Sequence, residues 1–127
     1  MSQIFVIDGR DFSTLEEFYR AIGDTLIPGL EWGKNLDALN DILCWPISQT
    51  RETYTLVWKN AKLSRKRLNH SETERQLKHR LRYCHPDNRQ KVAAELEMAS
   101  RCQGPTVFDW LVDIICQHSQ WVTLELK

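Results

Sequence analysis

Two carboxylates lie four residues apart in a segment that has the pattern of a short helix. Asp37 and Asp41 stand on either side of Asn40, and Asn35 is a residue type that commonly caps a helix N-terminus. An i, i+4 spacing places both carboxylates on one face, while the leucines at positions 36, 39 and 43 fall on the opposite, core-facing stripe. Like charges at this spacing destabilise a helix by about 0.2–0.5 kcal/mol. The face that carries Asp37 and Asp41 therefore has two interpretations. It is an ordinary solvated face, or it binds a basic partner.

Two tryptophans at the ends of this helix favour the second interpretation. Trp32 follows Glu31 in the loop that enters the helix, and Trp45 follows its last turn. Carboxylates bordered by aromatic rings suit arginine and lysine side chains, which pair with the acids and stack on the rings. Trp45 precedes Pro46, so we expect its ring to be packed in the core. The candidate binding residues here are Glu31, Trp32, Gly33, Asn35, Asp37, Asn40, Asp41 and Trp45.

The charges are unevenly divided along a chain whose formal net charge is zero. Residues 1–57 hold nine acidic and four basic side chains, whereas residues 58–104 hold five acidic and twelve basic ones. Residues 105–127 hold three acidic side chains and one lysine. Such asymmetry bears on partners and association rates, so the first part is expected to meet a basic partner.

The bulk properties predict one soluble domain spanning residues 1–127. The chain has 127 residues, 42% of them hydrophobic, and five tryptophans, which is enough for a core. No stretch reaches the roughly 18–20 apolar residues of a membrane span, and the N-terminus lacks a basic leader region. The four cysteines have no CxxC spacing, so reduced thiols and a cytoplasmic location are expected.

Strand-like and helix-like segments alternate along the chain and predict an α/β fold. Apolar runs at 4–7, 54–58 and 122–126 are typical of strands, the first buried on both faces. Ser13 and Glu16 form a predicted capping box for a helix that reaches residue 26, and further helices are predicted at 36–44 and 108–118. This order favours a small three-stranded, mostly parallel sheet flanked by helices. Residues 69–104 are polar and basic, and we interpret them as an inserted helical hairpin broken at His85-Pro86, without a core of its own.

The chain resembles the barstar family of ribonuclease inhibitors. The resemblance lies in the opening Phe-Val-Ile-Asp-Gly at 5–9, the run Trp-Gly-Lys-Asn-Leu-Asp-Ala-Leu at 32–39 with Asp41 after it, and the strand Leu-Val-Trp at 56–58. It covers roughly 1–68 and 105–127 and leaves 69–104 without a counterpart. The resemblance implies a monomer that plugs the basic active site of a ribonuclease in a 1:1 complex, with no cofactor. It assigns Asp37 and Asp41 to the enzyme's catalytic and phosphate-binding cations, where they would stand in for RNA phosphates.

Three positions depart from the family pattern. Glu31 and Asn40 stand where members of that family place aromatic residues, and Gln117 stands near a position where they place an acid. The inhibited enzyme is therefore expected to differ from that of the best-known member, and a ribonuclease or ribonuclease toxin remains the expected partner.

The basic segment leaves alternatives open. Its arginines and lysines are expected to bind RNA, to cover a solvated hairpin and pair with the chain's own acids, or to reach an acidic patch on the toxin through Arg80 and Arg82. The cations in question are Lys59, Lys62, Arg65, Lys66, Arg67, Arg75, Lys78, Arg80 and Arg82. Gln117 is a further candidate for a second contact with the toxin. His85-Pro86-Asp87 is also found in chaperone J-domains, but the segment is short for that domain.

Enzyme and metal motifs give no support to other classes. His79, Cys84, His85 and Cys102 match no zinc-finger spacing, so no metal is expected. The chain also lacks a phosphate-binding glycine loop, a nucleophile elbow and a cofactor fingerprint, so an enzyme is not expected.

Overall fold

The computed structural model describes residues 3–127; residues 1 and 2, which the predicted domain includes, lie outside the described residues. The strands are β1 (Gln3–Asp8), β2 (Tyr54–Lys59) and β3 (Val122–Leu126). The helices are α1 (Leu15–Leu26), α2 (Leu36–Leu43), α3 (Trp45–Thr50), α4 (Ala61–Arg67), α5 (His70–Tyr83), α6 (Arg89–Ser100) and α7 (Val107–Cys116). Short 3-10 turns occupy Gly9–Asp11 and Pro86–Asn88.

The strands form one parallel sheet in the order β1-β2-β3, which confirms the predicted fold class. The middle strand β2 is the most buried, with Leu56 and Trp58 fully inaccessible. The prediction that the first strand is buried on both faces is wrong, because Ile4 and Val6 are exposed. β1 is an edge strand, and only its Phe5 and Ile7 side faces the core.

The core is organised around Trp58. Its ring stacks on Phe18 of α1 at 5.4 Å and contacts Phe108 of α7 at 5.2 Å between centroids. Its indole N–H donates to the Ser64 hydroxyl of α4 at 2.8 Å, so the one polar atom of the ring has a partner inside the core. One side chain of the central strand thereby fixes three helices.

The N-terminus of α1 is capped one residue later than predicted. Thr14 is the N-cap and accepts from the Glu17 amide, while Glu17 accepts from the Ser13 amide and hydroxyl. The predicted pairing of Ser13 with Glu16 is therefore wrong. Glu16 is free to face a different helix, α5. The apolar residues at helical spacing in α1 are all buried: Leu15, Phe18, Tyr19, Ile22 and Leu26.

Two short helices were not predicted from the sequence. α3 follows α2 directly with Pro46 in its first turn, and α4 follows β2 with Asn60 in the left-handed conformation instead of a side-chain cap. The last predicted helix is present, shifted to Val107–Cys116, with a capping box between Thr106 and Asp109. Within residues 3–127, no helix is long and apolar enough to cross a membrane.

The predicted hairpin at 69–104 is present as α5 and α6, but it is bound firmly to the rest of the fold. The Glu72 side chain accepts from the Leu15 backbone N–H at 2.8 Å, and the Thr73 hydroxyl accepts from the Val107 backbone N–H at 2.8 Å. Both donors are first-turn amides that have no partner within their own helix. Residues of α5 therefore cap both α1 and α7.

The hairpin also has a small apolar cluster of its own, which corrects the prediction that it has no core. Leu77, Val92 and Ala99 are buried together. Trp110 of α7 packs against them, so the cluster joins the hairpin to the main domain.

Candidate partner-binding site

The helix α2 presents its two carboxylates to solvent as predicted. The Asn35 side chain accepts from the Ala38 amide at 2.7 Å and so caps the helix. Asp37 and Asp41 are exposed. In the part of the chain that the structure describes, neither carboxylate forms an ion pair or a side-chain hydrogen bond. The opposite face buries Leu39, Ile42 and Leu43. A rigid helix thus carries two unpaired negative charges.

The loop before α2 is held by Trp32. Its half-buried ring meets Tyr19 edge to face at 5.6 Å and lies over Gly23 of α1. Gly33 lies against Ala38 and Asn35, where an added Cβ would stand 3.1 Å from the Ala38 Cβ. Glu31 is exposed at the edge of this loop. Trp32 and Gly33 therefore set the path of the backbone into α2, and Glu31 is open to a partner, as are Leu30 and Lys34.

Gly23→Ala is expected to disturb this loop. A Cβ there would lie 2.6 Å from the indole nitrogen of Trp32, closer than real contacts allow. The clash outweighs the roughly 1 kcal/mol of helix propensity gained, so we expect a net loss of about 1–2 kcal/mol in unfolding free energy. Denaturant unfolding followed by tryptophan fluorescence measures it. The smaller ring of a Gly23→Ala, Trp32→Phe double variant should restore part of the loss; a single variant as stable as the parent would contradict this packing.

The predicted place of Asn40 beside the two acids implied a side chain that faces solvent freely. In the structure this side chain is hydrogen-bonded within the protein. The Nε2–H of His118 donates to its Oδ1 at 2.9 Å, and its own amide N–H donates to the Leu36 carbonyl at 3.5 Å. The other ring nitrogen of His118, Nδ1, lies 3.8 Å from the Cys44 sulfur. Burial, together with the charge of Asp41, raises the pKa of the Cys44 thiol. A protonated thiol donates to Nδ1 and leaves the proton of His118 on Nε2, facing Asn40.

Trp45 is 41% exposed, so the prediction that its ring is packed is wrong. It is the first residue of α3, and Pro46 is the residue that turns inward and is buried. Trp45 therefore offers an aromatic surface directly after the acidic helix. Its exposure supports the interpretation that aromatic rings border the two carboxylates.

An open cleft of about 670 Å³ lies beside Asp37, between α1, the start of α2 and α5. Lys34 and Arg80 line it together with Asp37. The Arg80 guanidinium is held over the Trp110 ring, 5.4 Å from its centroid. Of the predicted second contacts, Arg80 is therefore brought next to the acidic helix. Arg82 is exposed further along α5 and Gln117 at the end of α7, and neither lines this cleft.

Several cations of residues 58–104 are engaged within the protein. Arg75 pairs with Glu16 and Glu72, and Arg67 donates to three backbone carbonyls before α1. The Arg65 guanidinium lies over the Phe108 ring. These contacts favour a structural use of the cations over an RNA-binding patch. Within residues 3–127, no three His, Cys, Asp or Glu side chains are grouped so that they could hold a metal ion.

The model of the family described as Barstar (barnase inhibitor) matches residues 2–98, about three quarters of the chain. The chain belongs to the barstar family. The barstar match contains β1, α1, the acidic helix α2 and β2, and it extends over α5 and most of α6, while α7 and β3 lie beyond it. A search of curated proteins found no match. Members of the barstar family are ribonuclease inhibitors, and that general role is what membership establishes.

Sequence reasoning missed two residues connected to the acidic helix, His118 and Trp121. His118 reaches Asn40 across 78 positions of sequence, and its ring stacks on Trp121 at 5.9 Å. No local spacing signals a contact of that kind.

Proposed function

We propose that this protein inhibits a ribonuclease, as an immunity protein against a ribonuclease toxin, by inserting the acidic face of α2 into the enzyme's basic active site. The observation that carries the proposal is the pair of exposed carboxylates of Asp37 and Asp41, one turn apart on a helix fixed to the core and without an ion-pair partner among residues 3–127. They take the positions of two RNA phosphates. The protein acts by binding and not as an enzyme, as a cytoplasmic monomer in a 1:1 complex.

Charge and rigidity make such a plug effective. A site that binds RNA phosphates is lined by cations, and opposite charge speeds encounter by about ten- to a thousandfold. The helix is capped by Asn35 and buried along Leu39 and Leu43, so little conformational entropy is lost when it docks.

The contact surface in this proposal extends to both sides of the two acids. It includes Glu31, Trp32, Gly33, Asn35, Asn40 and Trp45, with Arg80 as a second contact from the basic segment. Arg80 lines the cleft beside Asp37 and would pair with an acidic group of the toxin. Such a pair would make the inhibitor selective for toxins that carry an acidic group at that position. Arg82 and Gln117 are outer contacts. In this proposal residues 69–104 form an insertion within a single domain, and the insertion contributes to the surface that contacts the partner.

The test is inhibition of RNA hydrolysis by a panel of secreted microbial ribonucleases and isolated ribonuclease toxin domains, barnase included. We expect one or more enzymes to be inhibited at stoichiometric concentration, with an association rate that falls as salt screens the charges. Binding of RNA by the protein itself, without inhibition of any enzyme, would favour the alternative in which the basic segment is an RNA-binding or adaptor module.

A further inference from the structure

A second aromatic surface borders the acidic helix at the end opposite the cleft. Trp121 lies in the turn between α7 and β3 and is 37% exposed. Its ring stacks on His118 with 5.9 Å between centroids and 26° between planes. His118 in turn donates to Asn40. A single chain of contacts therefore links an exposed indole to the helix that carries Asp37 and Asp41.

The geometry of α2 places this surface next to Asp41 in particular. His118 touches Asn40 and Cys44 at the C-terminal end of α2, and these two residues are one turn apart. Asp41 precedes Cys44 by three positions and shares that side of the helix, and its charge contributes to the raised pKa of the Cys44 thiol. The ring of His118 thus lies between Trp121 and the C-terminal end of α2, the end that carries Asp41.

Trp121 is held in place by its backbone as well. Its N–H donates to the His118 carbonyl at 2.9 Å, and its carbonyl accepts from the Tyr54 N–H at 2.9 Å at the start of the central strand. An indole that is partly exposed, stacked on His118 and linked through it to the acidic helix has the properties of a binding hot spot, because little side-chain entropy is lost on contact. Asn40 is small and already bonded to His118, so it cannot supply an aromatic contact there.

We propose that Trp121, positioned by His118, is a partner-contact residue that receives an arginine side chain of the ribonuclease. The guanidinium stacks on the indole face while the neighbouring Asp41 supplies the opposite charge. The proposal rests on the proposed function and extends its interface from α2 to the turn before β3. It makes Trp121 a determinant of which ribonuclease is bound.

The experiment measures inhibition constants against the enzymes of the panel that the parent protein inhibits. Trp121→Ala should weaken inhibition about tenfold or more, and Trp121→Phe, which keeps a ring, clearly less. His118→Ala should weaken it through loss of positioning, and His118→Gln, which keeps an N–H toward Asn40, should recover part of that loss. Ile4→Ala is the control for loss of an exposed apolar side chain, since Ile4 lies on the edge strand β1, which β2 separates from β3. Unchanged thermal unfolding excludes a general loss of fold.

The outcomes separate the two proposals. If Trp121→Ala stays within about twofold of the parent while Asp41→Ala is strongly impaired, Trp121 lies outside the interface and the proposed function stands. If Trp121→Ala is impaired and Asp41→Ala is not, the partner contacts the indole without the charge of Asp41, which overturns the acidic plug and the pairing of an arginine with Asp41. A parent protein that inhibits no enzyme of the panel overturns both.

Discussion

Asp41→Ala is expected to weaken inhibition of the target ribonuclease by about 2–5 kcal/mol, the range for truncating one member of a desolvated charge pair. At about 1.4 kcal/mol per tenfold, this corresponds to about 30- to 4,000-fold in the inhibition constant. The loss is large because a cation of the enzyme would remain buried without its partner. Inhibition titrations with the parent and the variant measure it.

The same substitution should leave the free protein as stable as before, or slightly more stable. Asp41 forms no ion pair within residues 3–127, and its removal relieves repulsion with Asp37, about 0.2–0.5 kcal/mol. Glu97→Ala is the matched control, since Glu97 is an exposed helical carboxylate that pairs with Arg101 on the hairpin. Equal inhibition by both variants, within about 1 kcal/mol of the parent, would mean that the acidic helix is an ordinary solvated face.

Glu72→Ala is expected to lower the unfolding free energy by about 1–4 kcal/mol. Its removal leaves the buried Leu15 N–H without an acceptor, which costs about 1–3 kcal/mol, and breaks the pair with half-exposed Arg75, which adds up to about 1 kcal/mol. Because Glu72 caps α1 from a different helix, its loss should also loosen α5. Denaturant unfolding gives the free energy, and amide hydrogen exchange shows whether α5 opens first.

Glu74→Ala is the control for this prediction. Glu74 lies two residues away on the same helix and pairs with Lys78 at 3.3 Å near the surface, so its loss should cost less than about 1 kcal/mol. If the two variants are equally stable, Glu72 does not bind the hairpin to the domain. If Glu72 does bind the hairpin to the domain, deletion of residues 69–104 would remove the caps of α1 and α7. Single substitutions such as Arg80→Ala then probe the segment without removing these caps.

Local patterns were sufficient to predict the elements whose signals are local. The three strands, the Asn35 cap and the solvent-facing Asp37 and Asp41 follow from β-branched runs, capping chemistry and the 3.6-residue period. α4 escaped prediction because its sequence is mostly basic and it begins without a side-chain cap. α3 was not predicted because it has only six residues, too few to show the periodic spacing of apolar residues that indicates a helix.

The long-range part of the site was not predictable from one sequence. Three contacts across distant positions decide its shape: Glu72 with Leu15, Trp32 over Gly23, and His118 with Asn40. The exposure of Trp45 likewise depends on how α3 turns after α2, which the dipeptide with Pro46 does not reveal. Such contacts depend on how the helices and strands pack together, and this packing leaves no periodic pattern of residues in the sequence.

The measurement that bears most directly on the acidic plug is competition with a mononucleotide bound in the active site of the inhibited ribonuclease. If Asp37 and Asp41 occupy the phosphate positions, the apparent inhibition constant should rise in proportion to the mononucleotide concentration. An inhibition constant that does not change as the active site is filled would contradict the plug and place the inhibitor elsewhere on the enzyme.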